Sequence, residues 1–62
     1  MADWRADYDG KPLWKHAAEM RDRDMGWPKI AQKISKLTGE PPLSRGAVQS
    51  AVARCEAGVA GR

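Results

Sequence analysis

Between Trp27 and Leu37 the apolar side chains fall at Trp27, Ile30, Ala31, Ile34 and Leu37, spacings of three, one, three and three. This is the period of one apolar helical face, and it predicts a helix over residues 27–38. Gly26 stands at its N-cap and Pro28 in its first turn, and Gly39 followed by Glu40-Pro41-Pro42 ends it. A second stripe, Val48, Ala51, Val52 and Cys55, predicts a helix over residues 44–57 with Ser44 as N-cap and Gly58 as terminator. Upstream, Pro12 opens a run of good helix formers without glycine, which predicts a helix over residues 12–24. Its inner side is formed by Leu13, Trp14, Ala17, Ala18 and Met20, with Met25 entering the core just beyond. Residues 1–11 read as an acidic lead-in with a turn at Asp9-Gly10, and residues 59–62 as a flexible tail. Trp4 and Tyr8, four apart, are placed either on a helical turn packed over the domain or on a frayed arm.

Three short helices in residues 12–58 make an all-α domain of the helix-turn-helix kind. A chain of 62 residues hides only about 60% of the surface that its unfolded form exposes, so the core must be small. Trp14 and Trp27 are expected to anchor it, since each can cover a large share of a small core. With one cysteine, Cys55, no intrachain disulfide forms and no zinc-ligand cluster exists. Cys55 is expected as a buried structural thiol and His16 as an ordinary surface or packing residue. No phosphate-binding glycine loop, acid/base carboxylate pair or nucleophile elbow is present, and the reading is a non-enzyme without cofactor. The acidic N-terminus does not read as a signal peptide and no apolar run reaches membrane length, so no membrane partner is expected and the location is cytoplasmic.

Charge sharpens the functional reading. The chain carries net charge +3, unevenly: residues 1–25 hold five basic and six acidic side chains, residues 26–62 six basic and two acidic. On the third helix Arg45, Gln49, Ser50 and Arg54 lie off the apolar stripe. Arginine can pair bidentately with guanine and glutamine with adenine, so these four are the candidate base-reading residues for double-stranded DNA. Gly46, Ala47, Ser50 and Ala53 keep that helix surface low. Lys29, Lys33 and Lys36, at i, i+4 and i+7 on the second helix, are candidate DNA-backbone contacts, and Ser44 is another near a positive helix end.

The run GWPKIAQKISKLTGEPPLSRGAVQSAVARCEAG resembles the homeodomain-like helix-turn-helix superfamily and, within it, the DNA-binding segment of GcrA-type cell-cycle regulators. The resemblance lies in Trp14, Met25-Gly26, Ile30-Ala31, Ser44-Arg45, Ala47-Val48 and Arg54, within residues 13–57. It implies DNA binding in transcriptional control. The chain departs from the pattern in a longer, two-proline connection after the second helix and in Gly46, where the family has a larger polar residue. The alternative is a protein-interaction module that docks on a larger protein such as RNA polymerase or a repressor through Trp4 and Tyr8, taken as exposed aromatics beside Asp3, Asp7 and Asp9. A homodimer is a further expectation, because small DNA-binding modules gain affinity by pairing, although no heptad declares one.

Overall fold

The computed structural model describes residues 3–60, with side chains through residue 58. In chain order the elements are β1 (Asp7–Tyr8), β2 (Lys11–Pro12), α1 (Leu13–Asp22), α2 (Trp27–Thr38) and α3 (Arg45–Ala60). Each helix packs on the other two. None is long and apolar enough to cross a membrane among the described residues.

The lead-in is more ordered than a turn. Asp9 and Gly10 both have positive φ, 53° and 91°, as a two-residue hairpin turn that matches strand twist requires. They close an antiparallel pair in which Tyr8 faces Lys11 and Asp7 faces Pro12. So short a hairpin is unstable alone, and here it is fastened to α1. Lys11 pairs with Glu19, and His16 Nε2 donates to the Tyr8 carbonyl at 2.5 Å. Pro12 precedes α1 as a residue with no side-chain cap bond. The first free amides of α1 are instead met by the chain before it, Leu13 N donating to Ala6 O at 3.1 Å and Trp14 N to Trp4 O at 3.0 Å. Trp4 and Tyr8 therefore lie neither on a helical turn nor on a frayed arm. Both are half-buried against the core.

Helix α1 stops at Asp22, two residues before the expected end. Asp24 turns left-handed at φ 62°, and Met25 N reaches back to Met20 O at 3.2 Å. Aspartate tolerates this conformation better than most residues, so no glycine marks the stop. Helix α2 keeps its expected bounds. Gly26 precedes it in an extended conformation, and Gly39 closes it at φ 76° with its N–H on Ser35 O at 2.8 Å. Helix α3 runs further than expected, because Gly58 lies inside it and the helix continues through Ala60. A glycine costs a helix interior about 1 kcal/mol but does not by itself end it, and no proline follows. Of the expected tail, residues 59 and 60 are thus helical, while residues 61–62 lie outside the described residues.

The core is aliphatic. Leu13, Ile30, Val48 and Val52 are its largest fully buried side chains, closed in by Ala17, Ala18, Ala31 and Ile34. Trp14 and Trp27, expected as its anchors, sit half-buried at its rim with Trp4, Tyr8, Met20 and Met25. Ala17, Ala18 and Ala31 take buried positions of the cluster, and the indoles pack against it from outside. Leu37 is 37% exposed although it shares the stripe of Ile30. Across the domain, Arg21 of α1 forks onto Glu56 of α3, at 2.6 and 2.9 Å.

Candidate nucleic-acid interface

The rotation of α3 is set by its buried stripe of Val48, Ala51, Val52 and Cys55. Its start is set by Ser44, whose Oγ accepts from Ala47 N at 3.2 Å and whose carbonyl accepts from Val48 N at 3.2 Å. At about 100° per residue, the ridge farthest from the core is then Gly46, Ser50, Ala53 and Ala57, all exposed. Nothing stands within 4 Å of where a Cβ on Gly46 would project, so the helix backbone is open to a close approach there.

The four candidate base-reading residues are all exposed, but they do not share one direction. Arg45 and Gln49 fall on one flank of the ridge and Ser50 on the ridge itself. Arg54 lies about 180° around the helix from Arg45. The Arg45–Gln49 flank is also that of Glu56, held toward α1 by Arg21. The Arg54 flank meets the N-terminal segment, where Asp3, Trp4 and Arg5 join Ala51, Arg54 and Cys55 around a groove of about 320 Å³. Asp3 Oδ1 is taken by the Arg5 backbone N–H at 3.0 Å. Arg5 and Arg54 form no ion pair among the described residues. Arg5 was invisible as a site residue in the sequence, since nothing local ties it to a helix that begins forty residues later.

The lysines of α2 are exposed but turned elsewhere. Lys33 lines a depression of about 350 Å³ with Lys11, His16, Glu19, Met20 and Arg23. Glu19 on α1 and Arg23, the residue just past its end, are each two positions from Arg21 and so about 200° around the helix axis from it. Since Arg21 points to α3, the depression opens away from α3. Ser44 is the one backbone candidate beside the α3 surface. Its Oγ serves as an acceptor within the cap, which leaves its O–H to donate outward.

Ion pairing tunes the carboxylates between these surfaces. The hydrogen bond from Arg21 holds Glu56 below the usual carboxylate range against the opposing cost of burial, and in return Glu56 raises the Arg21 guanidinium. Lys11 lowers Glu19 in the same way, with a smaller pull from Arg23. Trp4 and Tyr8 spend much of their aromatic area on the core, so they are not the exposed pair expected of a protein-docking face.

No family model matches the chain, and neither a curated protein nor a solved structure matches it.

Proposed function

We propose that this domain binds double-stranded DNA by laying α3 in the major groove, and that it acts as a small transcription regulator. The observation that carries this reading is the exposed side of α3: a low ridge of Gly46, Ser50, Ala53 and Ala57, flanked by unburied Arg45, Gln49 and Arg54, on a helix fixed by two others. The groove admits an α-helix, and a low ridge brings its backbone near the bases while longer side chains reach to either side. Arg45 and Gln49 are the better pair for base edges, being neighbours on one flank. Arg54, beside Arg5, favours the phosphate strand that borders the groove, where a guanidinium pair gains charge-assisted hydrogen bonds. Ser44 and the first amides of α3 suit a phosphate at the other end of that helix.

The test begins with selection of bound duplexes from a random pool at defined salt. Each folded variant is then titrated against the selected site and its single-base-pair changes. Arg45→Ala and Gln49→Ala should each cost ~1–3 kcal/mol at the site and relax preference at particular base pairs, with the melting temperature unchanged. Equal weakening on every duplex would leave only electrostatics. No binding to any duplex would leave docking on a protein as the reading instead.

A further inference from the structure

The depression between α1 and α2 gathers positive charge that the α3 surface does not use. Its cations come from three elements: Lys11 from β2, Arg23 from the turn after α1, and Lys33 from α2. Glu19 is the single carboxylate in the lining, and Lys11 already occupies it. Arg23 and Lys33 have no carboxylate partner among the described residues. Lys29 and Lys36 continue the charge along the same flank of α2, with no acidic residue between Gly26 and Gly39. At 1.5 Å per residue these three lysines form a line about 10 Å long.

We propose that this depression is a second phosphate-binding face, so that one molecule holds two DNA segments at once. The proposal rests on the DNA-binding reading of α3. A line of lysines acts as point charges without directional demand, which suits the uniform charge of a nucleic-acid strand. A peptide partner would need an anchoring pocket, whereas the lining has no tryptophan, tyrosine or large free apolar side chain, and Met20 and Met25 are packed against the core. The two faces lie on opposite sides of a body whose shorter extents are 22 and 18 Å. That exceeds twice the screening length of about 8 Å at physiological salt, so two duplexes held on opposite faces repel each other little.

The experiment uses two duplexes of different length, one carrying the selected site and immobilised, the other labelled and free. Wild-type protein should co-capture the labelled duplex in a complex whose mass contains one chain and two duplexes. In the double variant Arg23→Gln, Lys33→Gln, binding of a single duplex should keep its affinity and salt slope. The salt slope of co-capture should fall by about 1.8 for two lost phosphate contacts. Three results overturn the proposal while leaving the α3 reading intact: duplex binding without co-capture, co-capture by two chains, or an equal loss of slope in single-duplex binding, which would put both faces on one duplex. Failure of the wild type to bind any duplex would instead overturn the α3 reading, and this proposal with it.

Discussion

Ile30 and Leu37 lie seven residues apart on one stripe of α2, and alanine substitutions at the two positions should have unequal effects. Ile30 is fully buried and Leu37 is 37% exposed. Truncating a buried isoleucine to alanine removes three carbons and leaves a cavity, at a cost of ~2–5 kcal/mol. For 62 residues the whole folding free energy is about 3–9 kcal/mol, so Ile30→Ala takes from about a fifth of it to all of it. Leu37 keeps much of its surface in water when folded, and its truncation should cost about 1 kcal/mol or less. In a domain of this size each kcal/mol moves the melting temperature by roughly 4–8 °C. Thermal and urea melts followed by circular dichroism would separate the pair. Ile30→Val, at ~0.5–1.5 kcal/mol, serves as a graded variant where alanine leaves nothing folded to melt. Equal losses at positions 30 and 37 would refute the reasoning, because they would require the last turn of α2 to be covered as fully as its middle.

Two glycines should respond in opposite senses. Gly39→Ala forces a side chain into a left-handed residue and should cost ~1–2 kcal/mol even though the space there is open; Gly58→Ala, inside α3 with open space, should raise the melting temperature by an amount equivalent to at most about 1 kcal/mol. Ser44→Ala removes the cap on Ala47 N and should cost ~1 kcal/mol, read in the same melts. The acid limb of the stability curve should carry the Arg21–Glu56 pair. Because Glu56 lies below its ordinary 4.5 in the folded chain, its contribution is present above that pH and is lost as pH falls through the depressed value. Glu56→Gln should flatten that part of the acid limb, and an unchanged limb would show that solvent screens the pair completely.

Periodicity was enough to place α2 to the residue, because Gly26, Pro28 and Gly39 punctuate a strong apolar face. It also placed the buried stripe of α3, and with it the exposed positions of Arg45, Gln49, Ser50 and Arg54. Boundaries without punctuation were harder to read. Asp24 ends α1 in a conformation usually signalled by glycine, and Gly58 stands in α3 as an ordinary helical residue. The tryptophans misled by size: an indole is a large apolar side chain, but the buried positions are taken by aliphatic residues and alanines, and the indoles pack on that cluster from its rim. The hairpin did carry a signal, Asp9-Gly10, though its two residue pairs depend on Glu19 and His16 for support that no local pattern shows. The two charged surfaces were least legible, since Arg5 meets Arg54, and Lys11 meets Arg23 and Lys33, only after the chain has folded.

Cys55 gives the domain an internal clock. This single cysteine of the chain is 6% exposed and lines the groove that Trp4 and Arg5 border. A thiol reagent can reach it by global unfolding or by the brief lifting of the N-terminal segment from α3. When reclosing outpaces modification, the labelling rate reports the population of the open form rather than the rate of opening. Comparing that rate with the global stability measured on the same sample would show whether the first residues undock as a separate cooperative unit. The chain can thus report its own local breathing without an added probe or an engineered substitution.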